Sequence, residues 1–354
     1  MLAASAAAVN ASASDNPAAL ARAGTKAIET RRFGDALEAF TRAADLNRAD
    51  PGPCFGAGVA AFMLGQDEMA EDRFECALAR DPAFVPAMVW LGDLYYRSGR
   101  LAQAIAVYQA ARQRSPNDGE LQRQLGVWRE EQELQSRFHE SRTEHFTARF
   151  EADADEPLAH EVVARLEVAY ARVGRTLDVY PARPVTVLLY SRTQFADVTR
   201  LADWTVAAYD GRIRVPIANA LRESDEIDRV VSHEFVHAVV AMLGGRTVPA
   251  WLNEGLASVL EPAGPDELEA RLAHAGVRPS LSKLHDSFTG LSKRDAEIAY
   301  ASAARGVRLL IEHRGVAAIV ALLEDLAHGT PFDRAFRQRM GMHYEDFAAR
   351  VGRE

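Results

Sequence analysis

The sequence predicts two architectures in one chain. The first is an α-helical repeat solenoid. The second is an α+β domain with a small mixed sheet and a helical C-terminal lobe. Three observations carry this reading. Small and aromatic residues recur every 34 residues through the first third of the chain. Strand-forming and helix-periodic stretches then alternate between residues 145 and 217. After them an apolar helical run carries His233-Glu234-Phe235-Val236-His237, and a second apolar stretch holds Glu254.

Composition sets the bounds. A chain of 354 residues has room for two domains. Hydrophobic residues at 48% and charged residues at 26% fit a soluble globular protein. A formal charge of −9 argues against a nucleic-acid partner, which calls for a basic face. No stretch has the length and apolarity of a transmembrane span. Residues 1–16 are Ala/Ser-rich and read as a disordered tail, a fragment of a longer precursor or a weak signal-like leader without a basic n-region. Localisation therefore stays open between extracytoplasmic and cytoplasmic. The two cysteines, Cys54 and Cys76, exclude a disulfide-rich fold and a four-thiolate metal site. Cys54 lies on an apolar helical face, so a buried free thiol is the expectation, with a single bridge as the alternative.

In residues 17–118, Gly24, Gly58 and Gly92 share one column of the period and Gly126 continues it. Ala36, Ala70 and Ala104 form a second column, Phe40, Phe74 and Tyr108 a third, and Ala43, Ala77 and Ala111 a fourth. Small residues belong where two antiparallel helices come closest, and the aromatic fills the gap between them. Pro82 and Pro116 close units, because a proline ring cannot continue the helical hydrogen-bond ladder. Units fall at 17–50, 51–84 and 85–118. The first is the most degenerate, with Arg31 where the others have Gly65 and Gly99. Residues 119–140 start like a fourth unit, then turn polar, and are expected to form a solvated capping helix and linker.

The second domain is expected over 141–354. His145 to Phe150 alternates as a strand does, and 157–180 has a helical apolar stripe. Residues 184–190 read as a short apolar strand, and 193–199 as a helical patch. Asp210-Gly211 marks a hairpin turn, and Pro216 in its second strand suggests a sheet edge. Such an edge could take substrate as an added strand; an ordinary hairpin is the favoured reading.

Ser224 reads as the N-cap of the next helix, with Asp225 and Glu226 in the first turn where the helix dipole favours them. His233 and His237, four apart, project from one face and can hold one zinc ion. Glu234 sits where a carboxylate reaches a metal-bound water, as in a zinc-dependent peptidase. Two imidazoles and a carboxylate in apolar surroundings are costly without partners, and a metal would satisfy them. Gly244-Gly245 ends the helix. The stretch Trp251-Leu252-Asn253-Glu254-Gly255 then brings Glu254 as a third ligand.

H-E-x-x-H followed by W-L-N-E-G-x-A resembles the gluzincin peptidases, the thermolysin-like clan. The second block resembles the zinc aminopeptidases of that clan in particular. The 34-residue columns resemble the tetratricopeptide repeat. The whole is most similar to the peptidase-MA-like domains joined to such repeats in bacterial proteins. The resemblance implies a zincin-type metallopeptidase fold and one Zn2+ per chain on His233, His237 and Glu254. Glu234 would be its general base and acid, and a protein or peptide its substrate. It further implies an oxyanion donor on a later helix. Tyr300 is best placed in sequence order, and His285, His274 and His313 are its competitors. Asn253 and Glu261 either orient ligands or are solvated helix ends, the latter expected more of Glu261. No Gly-Ala-Met-Glu-Asn-like motif lies upstream, so aminopeptidase specificity is not inherited. The repeats are expected either to offer a concave face to a protein partner or to pack against the enzyme.

From 296 onward the chain reads as amphipathic helices with breaks near Gly315 and Gly329, a helical lower lobe. The rival to a working peptidase is a catalytically weak scaffold that uses its repeats as an adaptor; an intact Glu234 counts against it.

Overall fold

The computed structural model describes residues 16–151, 156–199, 208–217, 224–262, 272, 279–288 and 290–353. The leader-like tail up to residue 15 and His274 lie outside these residues, as do the side chains of Ser224 and Asp225.

Three helix pairs come first: α1 (Pro17–Glu29) with α2 (Phe33–Leu46), α3 (Pro51–Met63) with α4 (Asp67–Arg80), and α5 (Val85–Arg97) with α6 (Leu101–Arg114). Each glycine of the first column faces the aromatic of its own unit. A β-carbon on Gly24 would lie 2.7 Å from the Phe40 ring, and one on Gly58 2.6 Å from Phe74; Gly92 meets Tyr108 in the same way. The alanines of both other columns are fully buried. Arg31, Gly65 and Gly99 all turn with φ near +56 to +76°. Glycine adopts that region freely, whereas Arg31 takes it at a cost. Cys54 and Cys76 are joined as a disulfide between α3 and α4, so the expected free thiol is absent.

Helix α7 (Gly119–Gln135) caps the array, with Asp118 accepting from the amides of Glu120 and Leu121. Nothing lies within 4 Å of a β-carbon on Gly126, since no partner helix follows. Contrary to expectation the cap is not merely solvated: Glu131 is completely buried.

Strand β1 (Phe138–Arg142) follows at once and straddles residues 140 and 141, the expected start of the second domain. It pairs antiparallel with β2 (Phe146–Glu151). Helix α8 (Glu156–Leu177) crosses to β3 (Val185–Ser191), parallel to β2. Helix α9 (Arg192–Thr199) precedes the hairpin of β4 (Ala208–Tyr209) and β5 (Ile213–Ile217). The order is β1-β2-β3-β5-β4, a mixed sheet. Strand β5 is thus not the edge that Pro216 suggested at its start: β3 runs along one side, and β4 covers Ile213 and Arg214 on the other. Proline is tolerated because Pro216 lies beyond the short β4 pairing among the described residues.

One sheet face carries Phe146, Val187, Leu189 and Ile213 against α8 and α10 (Ser224–Gly244). The other carries Leu188 and Tyr190 against Leu134 of α7 and Phe195 of α9. The sheet is therefore filled on both sides, one of them by the end of the repeat array. Helices α11 (Ala250–Val259), α12 (Lys293–Arg314), α13 (Val316–Ala327), α14 (Phe332–Met340) and α15 (Tyr344–Arg353) form the C-terminal lobe. Gly255 lets α11 lie on α12: its β-carbon would sit 2.5 Å from the Ala303 carbonyl oxygen.

The repeats meet this domain along the turns that join their helix pairs. A β-carbon on Gly65 would lie 2.8 Å from the Gly245 Cα, and one on Gly34 2.8 Å from the Gly329 oxygen. Arg246 locks the contact. Its amide donates to the Met63 carbonyl at 2.9 Å, and its guanidinium spans both Asp67 carboxylate oxygens and lies 4.0 Å over the Phe62 ring. Backbone-to-backbone contact of this kind fixes the relative position of the two parts.

Candidate metal centre

Helix α10 is apolar on several sides, as a helix packed between the sheet and α13 must be. Ile227, Val230, Val231, Phe235, Val236, Val239 and Val240 are buried. Ser232, His233, Glu234 and His237 are the polar residues it carries into that interior. After Gly244 the chain reverses in a turn pinned by Arg246 to the repeats, and Pro249 opens α11. The reversal returns Glu254 toward the two histidines.

The three side chains converge. Nε2 of His233 is 3.4 Å from Oε2 of Glu254, and Nε2 of His237 is 3.5 Å from the same oxygen. One ligand atom from each of the three lies within 4.8 Å of the others. The opposite ring nitrogens are both engaged: Nδ1 of His233 with Oε1 of Glu261 at 2.7 Å, and Nδ1 of His237 with Oδ1 of Asn253 at 2.9 Å. A ring that donates from Nδ1 to an oxygen keeps its Nε2 lone pair free, which sets the tautomer a metal ligand needs. Glu261 is therefore not a solvated helix end; its carboxylate side chain is 12% exposed and bonded to His233. Asn253 has the matching part for His237.

The charges are tightly coupled. Burial opposes ionisation of Glu254, but His237 and His233 outweigh it and hold its carboxyl well below the usual range. Burial likewise opposes a charge on His233, yet the nearby Glu254 carboxylate and the hydrogen-bonded Glu261 push its pKa up to about 10. Glu234 is raised, chiefly by burial. Its Oε2, like Oε2 of Glu254, has no hydrogen-bond partner among the described residues. A buried oxygen without a donor is costly, and the Glu254 oxygen beside two inward-facing imidazole nitrogens forms a donor set that fits a divalent cation. Three protein ligands would leave a position open, as catalytic rather than structural zinc sites do.

Tyr300, on α12, has its ring centroid 6.2 Å from that of His233. Its hydroxyl pKa is raised, first by burial and then by Glu254 and Glu234. Its competitors are occupied elsewhere. His285 packs on Phe332 and Tyr344, and His313 meets the Met340 carbonyl through Nε2. Of the candidates within the described residues, Tyr300 is the one beside the cluster.

A family model described as the Peptidase MA superfamily matches residues 167–350, which include all four residues of the cluster. A tetratricopeptide repeat model matches residues 69–125. Among curated proteins, the chain is similar to a small glutamine-rich tetratricopeptide repeat-containing protein 2 from Mycosarcoma maydis, 33% identical over 109 residues. That match covers 30% of this chain and 31% of the relative, so the chain spans about a third of its length. Among solved structures, MamA is 22% identical with a TM-score of 0.33, over 34% of this chain and 71% of that one. The first repeat domain of Spaghetti (RPAP3), bound to an HSP90 peptide, is 20% identical with a TM-score of 0.33, over 34% of this chain and 98% of that one. The Yersinia enterocolitica type III secretion chaperone SycD, in complex with a peptide of the translocator YopD, is 18% identical with a TM-score of 0.31. It covers 33% of this chain and 92% of its own.

Proposed function

The chain belongs to the Peptidase MA superfamily, and on that premise we propose that it is a zinc-dependent peptidase that hydrolyses peptide bonds in a protein substrate, with its repeats serving protein binding. His233, His237 and Glu254 would hold the ion, one per chain. Bound zinc supplies Lewis acidity, making water more acidic and drawing charge from a carbonyl oxygen. Glu234 takes a proton from the attacking water and returns it to the departing amine nitrogen. Its burial raises its proton affinity and suits it to that exchange. The Tyr300 hydroxyl donates toward the carbonyl oxygen as charge gathers there. Asn253 and Glu261 keep the imidazoles oriented.

The observation that carries this reading is the convergence of two imidazole Nε2 atoms on one Glu254 oxygen, beside a buried Glu234 without a donor. Two of the named structural neighbours, the first repeat domain of Spaghetti (RPAP3) and SycD, are in complex with peptides, and the concave face of this array is proposed to take a protein partner.

The test is metal content and cleavage of an unfolded protein by wild type and Glu234→Gln. The variant is expected to keep about one zinc per chain, because Glu234 is not a ligand, and to lose cleavage. Wild type that binds no metal would end the metallopeptidase reading. Wild type that binds zinc yet cleaves nothing across a broad panel would favour the scaffold.

A further inference from the structure

A cleft of about 1580 Å³ runs between the repeats and α10. One wall is the turn and first helical residues of the second unit, with the Arg97–Arg100 turn of the third. The other wall is the C-terminal half of α10, and Asp210 and Gly211 of the β4–β5 hairpin also line the cleft. Its floor reaches His237 and Asn253, so it opens onto the candidate metal centre. The cleft is larger than the roughly 300–1,000 Å³ of small-molecule pockets.

Two methionines line it from opposite parts of the chain: Met69 of α4, 42% exposed, and Met242 of α10, 46% exposed. Much of the charge in the cleft is already neutralised within it. Asp67 holds Arg246, and Glu71 holds Arg100 through both carboxylate oxygens. Beside the exposed charged side chains of Glu68, Asp72, Arg97 and Arg183, the exposed large apolar contact in the lining is the flexible, polarisable thioether pair, a surface that adapts to apolar side chains of varied shape.

We infer that this cleft receives an extended segment of the protein substrate, with an apolar side chain of that segment held between Met69 and Met242. The repeats then contribute through their helix-joining turns, as one wall of the substrate channel, and not through their concave face alone. The inference rests on the peptidase reading for the cleft's connection to catalysis, but binding itself is measured separately.

The probe is fluorescein-labelled, reduced and carboxymethylated α-lactalbumin, titrated by anisotropy with the full-length Glu234→Gln chain so that cleavage does not intervene. Met69→Glu with Met242→Glu is expected to weaken binding at least about tenfold, the order expected for loss of one buried side chain's contact. Met→Leu at both positions is expected to retain it. Val168→Glu, at a still more exposed apolar residue on α8 outside this cleft, should leave it unchanged. Both methionines are exposed, so circular dichroism and Tm should match the parent. Cleavage by wild type together with unchanged binding by the double variant would overturn the cleft and leave the peptidase intact. Methionine-dependent binding with no cleavage by wild type would support the cleft and sink the peptidase. No binding of the probe by the parent overturns the cleft outright.

Discussion

Glu131 and Arg214 form an ion pair of 2.9 Å in which neither side chain is more than 1% exposed. The pair joins the capping helix α7 to strand β5. It is embedded in hydroxyls: Tyr190 donates to Glu131 at 3.1 Å, and Arg214 donates to Tyr190 at 2.7 Å and to Tyr96 at 2.9 Å. Tyr96 belongs to the third repeat unit and donates to Glu131 at 2.7 Å. Asp210 takes the other edge of the guanidinium. Repeat, cap, central strand and hairpin thus share one buried network.

Glu131→Ala should destabilise the chain by about 3–5 kcal/mol, because it takes one of two carboxylates from the buried Arg214 and leaves the Tyr96 and Tyr190 hydroxyls without their acceptor. Glu131→Leu combined with Arg214→Met should recover part of that loss, since both members of the 2.9 Å pair leave together and Asp210 keeps Arg212 beside it. Thermal unfolding of the three variants checks this. A double variant no better than the single one would mean that shape, not charge, is what the pair supplies.

That network was not legible in the sequence, and the reason is physical. Glu131 sits in the run Arg-Glu-Glu-Gln-Glu, which by local pattern is a solvated face. Its partner is 83 residues away, and no periodicity reports a contact of that range. Strand β1 was equally hidden: Phe-His-Glu-Ser-Arg is a mostly exposed edge without alternation. The repeat units were legible because each column is a packing contact inside its own unit, repeated at a fixed period. The histidine pair was legible because i and i+4 share a helix face, and Glu254 because the second helix follows closely. Glu261 was undervalued because nothing local distinguishes a carboxylate that reaches back to His233 from one that faces water.

The second prediction concerns the seam between repeats and peptidase domain. Gly65 has φ of +75°, and its β-carbon would meet the Gly245 backbone. Gly65→Val should cost at least about 2 kcal/mol, from the left-handed backbone and the overlap together. It should also open the seam. Limited proteolysis is expected to release the repeats from the variant under conditions that leave wild type whole. A variant as resistant as wild type would show the seam to be yielding.

Cys54 and Cys76 give a third. Their sequence separation of 22 closes a loop whose constraint on the unfolded chain stabilises the fold by about 3 kcal/mol in the chain-entropy account. Protein denatured without reductant should show no free thiol. Dithiothreitol should lower the Tm of wild type and leave that of Cys54→Ser with Cys76→Ser unmoved. Two free thiols in the denatured, unreduced protein would restore the sequence expectation.

Glu71 gives a pH dependence. Its hydrogen bonds to Arg100 hold its carboxyl below the usual carboxylate range. A carboxyl depressed in the folded state adds stability above its unfolded pKa, and that stability is lost as pH falls through the folded value. Wild type should therefore lose more stability than Glu71→Gln between about pH 5 and 3. Parallel Tm curves for the two proteins over that range would refute the assignment.

The last prediction separates orientation from ligation at the metal centre. Glu261→Ala and Asn253→Ala remove the oxygens on Nδ1 of His233 and His237 while leaving His233, His237 and Glu254 in place. If these oxygens fix the rings, each variant should still bind zinc, with affinity lowered about 10–100-fold. Glu254→Ala removes a proposed ligand and should lose more than either. Competition against a chromogenic chelator measures all three without reference to catalysis. Affinity unchanged in both orientation variants would show that the apolar packing of α10 alone holds the imidazoles, and the two hydrogen bonds would then have no part in tuning the site.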